Sequence, residues 1–174
     1  MKKGSRGFSL IELLIVVAII LIIAAIAIPN LLRSRIAANQ ASAVGSLRTL
    51  NTAEVTYSTT YNTGYSSTLA DLGPGAGGTQ PTASFAGLVD EVLSGIMSAG
   101  GTSGSPLVSS KSGYTFVYSP AATDATGKID YYNFTASPVS VGTTGTNFYY
   151  TDQSGVIRQN STAMAGSTDS PLAG

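Results

Sequence analysis

The chain begins its pattern with a 21-residue apolar run, Phe8–Ile28 (FSLIELLIVVAIILIIAAIAI), that contains a single charge, Glu12. As a helix this run is roughly 31 Å long, about the thickness of a bilayer core, and it reads as a membrane segment. Pro29 cannot donate the next backbone hydrogen bond, so a kink or a short unwound stretch is expected there. Beyond it the period changes. Leu32, Ile36, Ala43, Leu47, Leu50, Tyr57 and Tyr61 recur at three- and four-residue steps, with Gln40 and Glu54 in the gaps. That is one face of an amphipathic helix. Arg35, Asn39, Ser42, Ser46, Thr49 and Thr56 form the opposite face. A helix over residues 8–61 is roughly 80 Å long if continuous, more than a compact domain of this chain can bury. Its first half must therefore lie in lipid or against other subunits, and its second half should pack on a globular head. Gly45 is a mild weak point, costing about 1 kcal/mol relative to Ala.

The head is expected over residues 62–174. Asn62–Pro81 is rich in Gly, Thr, Ser and Pro and reads as a loop. Phe85, Leu88, Val89, Val92, Leu93, Ile96 and Met97 then fall at helical spacing, opposite Asp90 and Glu91. With Ser84 as cap and Gly100-Gly101 as stop, they predict a short helix over 84–99. Gly101–Ser112 reads as another loop. Four strands follow within 114–159, at Tyr114–Ser119, Asp130–Ala136, Asn147–Thr151 and Val156–Gln159. Asp124–Lys128 and Asp152–Gly155 are the turns between them. An antiparallel meander on the second half of a long helix is an α+β layout. The small polar tail, Ser161–Gly174, is expected to be mobile.

Composition narrows the chemistry. The 174 residues include no cysteine, histidine or tryptophan, and nine basic residues balance nine acidic ones. The missing cysteines exclude a disulfide scaffold, a Cys-ligated zinc site and a thiol nucleophile. The missing histidines remove the commonest general base and metal ligand. A neutral balance argues against nucleic acid as a partner. Serine and threonine make up about a quarter of the chain, and only 10% is charged; such a surface suits an exposed fibre and leaves room for O-linked sugars.

A secretory signal is the rival reading of the N-terminus, since Lys2, Lys3 and Arg6 precede the run and Ala25-Ile26-Ala27 is an A-x-A site. Glu12 inside the run opposes it, as does the helical pattern that continues past Pro29. A carboxylate in lipid reaches for the headgroups, stays protonated, or awaits a cation. The nearest such cation is a new α-amino group, made by cutting the chain just before Phe8.

Arg6-Gly7-Phe8-Ser9-Leu10-Ile11-Glu12-Leu13-Leu14, with its short basic leader and long apolar continuation, resembles the class III signal of prepilins. That signal opens type IV pilins and type II secretion pseudopilins, and Pro29 fits the type IVa pattern. The close resemblance covers about residues 1–60. It implies a leader, residues 1–7, removed between Gly7 and Phe8 by a membrane prepilin peptidase on the cytoplasmic side. Phe8 becomes the N-methylated first residue, and Glu12 the glutamate that meets the terminal amine of a neighbouring subunit. Residues 8–28 form the transmembrane and assembly helix and residues 29–61 its amphipathic half. The implied partners are further copies of the chain, the peptidase, the membrane and an inner-membrane assembly platform. The precursor is expected as a single-pass inner-membrane protein, and the product as a cell-surface or periplasmic filament. Arg33 and Arg35 follow the run directly, so the positive-inside asymmetry is small.

Elsewhere the acids are scattered and no pair demands a joint catalytic role. No G-x-S-x-G, Walker A or H-E-x-x-H motif is present, and Gly75–Gly78 is too irregular for a phosphate loop. An enzyme is not expected. Asp152-Gln153-Ser154-Gly155 offers oxygens to calcium, as in some pseudopilins, and equally makes a plain turn. Tyr57, Tyr61, Tyr114, Tyr118 and Tyr132 are expected in the core. Three functions remain: a type IV pilin, a type II secretion pseudopilin (favoured by the lack of the C-terminal disulfide common in type IVa pilins), and a monomeric membrane-anchored binding domain.

Overall fold

The computed structural model describes residues 8–75, 80–96 and 107–172. The chain divides into two compact units between Arg35 and Ile36. Helix α1, Leu10–Tyr61, contributes to both.

In the first unit α1 is helical on both sides of Pro29, which lies inside it. Of the kink or short unwound stretch expected there, the unwound stretch is absent. The proline ring removes the bond that position 29 would give to the carbonyl four residues back and crowds that carbonyl, and the flanking bonds carry the helix through.

The second unit takes residues 36–61 of α1, helix α2 (Leu69–Leu72) and five strands: β1 Val108–Lys111, β2 Tyr114–Pro120, β3 Tyr132–Pro138, β4 Phe148–Asp152 and β5 Arg158–Asn160. The sheet is an antiparallel meander in the order β1-β2-β3-β4-β5. This is the expected α+β layout, with one strand more than expected. β2 alternates through Tyr118 and β3 throughout, burying Tyr114, Phe116 and Tyr118 on β2 and Tyr132, Phe134 and Ala136 on β3, with Phe116 opposite Ala136 and Tyr118 opposite Phe134. These rings join Leu47, Leu50, Ala53 and Tyr57 of α1 and Leu69 and Leu72 of α2 in one core. Of the five tyrosines expected inside, Tyr61 alone is half-exposed.

The buried stripe of α1 begins at the half-buried Ile36, and Leu32 is exposed. Ser46, assigned to the polar face, is buried. The exposed face is threonine-rich, and Thr49, Thr52, Thr56 and Thr59 return their hydroxyls to the carbonyls four residues earlier. That satisfies hydroxyls which would otherwise compete with the helix.

Four expectations for the head are corrected. Gly101–Ser112 is not all loop, because β1 lies in its described part and pairs with β2. The helix over 84–99 does not form across its described part, 84–96; residues 97–99 lie outside the described residues, as do Gly7 and positions 76–79. Ala86, Gly87, Leu88 and Val89 instead send their N–H groups to Asp71, Gly73 and Leu72. Gly87 and Gly95 sit at φ 65° and 74°, outside helical space. In Asn62–Pro81 the chain is not all loop, because Thr68 and Asp71 close a capping box around α2. The tail is tied down as far as Leu172: Gln159 N–H donates to Ser170 O at 3.0 Å and Leu172 N–H to Ile157 O at 2.8 Å. Asp169 holds Asn160 Nδ2 and Gly166 N–H as well. Backbone pairing beside an edge strand needs no apolar side chains, so composition hides it.

Candidate functional site

Ser9 precedes the first helical residue, Leu10, so Glu12 is the third residue of α1. Ser9 N–H donates to Glu12 Oε2 at 2.9 Å, and Leu13 N–H closes the first turn on Ser9 O at 3.2 Å. This is half of a capping box, with a negative side chain at the positive end of the helix dipole. Phe8 lies directly before it and is 77% exposed. Phe8 and Glu12 thus lie at the same helix end, while Gly7, the expected last leader residue, lies outside the described residues.

Every large apolar side chain from Phe8 to Leu32 is exposed. Among the described residues α1 is the one helix long and apolar enough to cross a membrane. An apolar surface of this extent requires lipid or protein to cover it.

The head carries two polar clusters in its core. Asn51 Nδ2 donates to Thr151 Oγ1 at 2.8 Å, and Tyr132 Oη donates to Asn51 Oδ1 at 3.2 Å. Glu54 is fully buried: Ser66 N–H reaches its Oε2 at 2.9 Å and Ser66 Oγ its Oε1 at 2.7 Å. Tyr118 Oη donates to Ser66 O at 2.6 Å. Burial pushes the Glu54 carboxyl up to about 7, against the opposing pull of the Ser66 hydrogen bonds. Burial, with Glu54 beside it, also raises the Tyr118 hydroxyl far above the phenol range. The sequence placed Glu54 on the apolar stripe of α1 without assigning it a role. An acid inside an apolar stripe is the signal that singled out Glu12, and it applies equally here.

Asp152 is far from the helix end in sequence and makes a turn. Its Oδ1 accepts from Ser154 N–H and Oγ, and Gly155 N–H returns to Asp152 O. Among the described residues no three Asp or Glu side chains gather in a group able to hold a metal ion.

Residues 2–28 match a family model described as the prokaryotic N-terminal methylation motif. The type IV major pilin protein PilA of Myxococcus xanthus is 51% identical over 53 residues, 30% of this chain and 24% of that protein. The type IV wide pilus major component PilA4 of Thermus thermophilus is 62% identical over 37 residues, 21% of this chain and 28% of that protein. The chain thus spans about a quarter of the length of the curated relatives it matches. No solved structure matches it. The N-terminal part of this chain carries the prokaryotic N-terminal methylation motif.

Proposed function

We propose that the chain is the precursor of a structural, non-enzymatic subunit of a type IV pilus-like filament. The observation that carries this reading is the exposed apolar half of α1 with one acid, Glu12, at its N-terminal end. In the precursor, lipid covers that surface in the inner membrane. After a prepilin peptidase cuts between Gly7 and Phe8 and Phe8 is N-methylated, the same surfaces of other copies cover it. An assembly platform in the inner membrane draws the subunits out of the bilayer, and residues 36–172 form the filament's outer layer. Adhesion, motility or DNA uptake follows from polymerisation.

Glu12 supplies the register. An unpaired carboxylate in an apolar core is costly, and a neighbour's terminal amine relieves that cost at one stagger only. The two named relatives, both major pilus components, support the pilus form. The absence of cysteine favours the second reading, a type II secretion pseudopilin with a short periplasmic filament.

Immunogold labelling of intact cells with antibodies to residues 36–172 tests the choice. Label along surface filaments is expected. Label only after the outer membrane is permeabilised would overturn the pilus form and support the pseudopilin.

A further inference from the structure

Glu54 joins three parts of the head. It projects from α1, its two oxygens hold Ser66 in the segment that follows the helix, and Ser66 O is held in turn by Tyr118 of β2. The same segment is fastened elsewhere as well: Tyr65 N–H donates to Ile129 O at 2.8 Å, Lys128 Nζ to Asn62 Oδ1 at 3.2 Å, and Ser67 N–H and Oγ to Asp71 Oδ2 at 3.1 and 2.7 Å. Asn62, Thr63 and Ser67 around these anchors are exposed, while Glu54 and Ser66 have no exposure at all.

The hydrogen-bond geometry accepts Glu54 in either protonation state. With the carboxylate ionised, Ser66 N–H and Oγ–H both donate to it. With the carboxyl neutral, its own proton goes from Oε1 to Ser66 Oγ over the same 2.7 Å. The Ser66 hydroxyl then turns to Tyr118 Oη, 3.3 Å away, and Tyr118 still donates to Ser66 O. Only the charge distinguishes the two states. The groups facing Glu54 are Tyr57 on α1, Tyr65 in the segment, Asp71 on α2, Tyr118 on β2 and Tyr132 on β3. None is a cation. Among the described residues the one salt bridge joins Lys111 to Asp90 instead. An ionised Glu54 is therefore a buried charge held by the two Ser66 donors but faced by no cation, with Asp71 adding repulsion, and its escape is to open the segment to water.

We propose that Glu54 is a proton-operated latch: neutral, it locks residues 62–67 onto α1 and β2, and ionised, it releases them. The burial that raises the carboxyl to about 7 sets the release near neutral pH. The latch does not depend on the filament reading, because every group in it belongs to the head of a single chain.

Amide hydrogen exchange on the full chain in detergent micelles, at pH 5.5 and 8.5, tests the latch once rates are corrected for base catalysis. The protection of the Tyr65 and Ser66 amides is expected to fall about tenfold or more at the higher pH. Glu54→Gln, which keeps an acceptor and a donor but carries no charge, is expected to remain equally protected at both. Equal wild-type protection at the two pH values, or the same loss in Glu54→Gln, would overturn the proposal. A titration of wild-type chain labelled with ¹³C at glutamate carboxyls gives a readout that needs no folded variant. Its three signals come from Glu12, Glu54 and Glu91, and the head's buried one is expected to titrate near 7. If no glutamate of the head titrates above about 5, the latch does not exist.

Discussion

Ser9 donates its backbone N–H to the Glu12 carboxylate at 2.9 Å, one residue from Phe8. A free glutamate in an apolar helix has no fixed direction. This one is turned back toward the N-terminal end, where the proposed cleavage before Phe8 would create an amine. The carboxylate is thus pre-positioned for a cation at that end, and the pairing would give up one cap bond.

Glu12→Ala removes both the cap and the proposed pairing charge. The loss of the cap costs the helix about 1 kcal/mol, too little to unfold the head. Sheared filament yield is expected to collapse while the thermal melt of the head stays unchanged. Normal filaments from this variant would contradict the pairing role.

Stability should respond to pH through Glu54, and the sign follows from its folded value of about 7 against 4.5 when exposed. Below pH 4.5 the group is neutral in both states and its contribution is complete. Between 4.5 and 7 the unfolded chain releases the proton and the folded one keeps it, so stability falls as pH rises, by about 3 kcal/mol. Above 7 the curve is flat. Denaturant titrations from pH 4 to 9 are expected to show this fall in the wild type and its loss in Glu54→Gln. Parallel curves for the two would contradict it.

Gly64 has φ 81°, and an added Cβ would overlap the carbonyl oxygen of Ile129 and lie 2.6 Å from its nitrogen. That contact is with backbone and cannot rotate away. Gly64→Ala is expected to destabilise the head by about 2 kcal/mol or more, read from the midpoint of chemical denaturation. Gly87→Ala meets no atom within 4 Å and bears only the strain of φ 65°, so it should cost less. The reverse order would show that the 64–129 bridge is not rigid.

Asp169→Ala releases Asn160 and Gly166. The tail then loses its anchor beside β5, with an expected cost of about 1–2 kcal/mol and faster proteolysis within 161–172. Unchanged proteolysis would mean that the Ser170 and Leu172 backbone bonds hold the tail alone.

What was legible in the sequence depended on side chains. The period of Ala43, Leu47, Leu50 and Tyr57 placed the buried face of α1, and the alternation in Tyr114–Tyr118 placed β2 and its inward rings. Where backbone decides, the sequence was quiet. β1, Val-Ser-Ser-Lys, has one apolar residue and forms because Ser112 and Gly113, both at positive φ, close a two-residue hairpin to β2. The 84–96 stretch matched a helix by spacing, yet Gly87 and Gly95 turn it aside and its N–H groups go to α2 and Gly73. At the site, Glu12 was legible because charge in an apolar run is rare. Glu54 obeyed the same rule, but its partner Ser66 lies twelve residues on in a loop, and only the fold reveals the pair.

The central claim is that this helix is processed and then buried among its copies. Mass spectrometry of the N-terminal peptide from sheared surface filaments tests it most directly. The account predicts a peptide that begins at N-methylated Phe8 and is lost from that fraction when Gly7→Leu blocks the cut. Filaments whose subunits begin at Met1 or Ile28, or a surface fraction without this chain and an envelope form still uncut at Gly7, would contradict it.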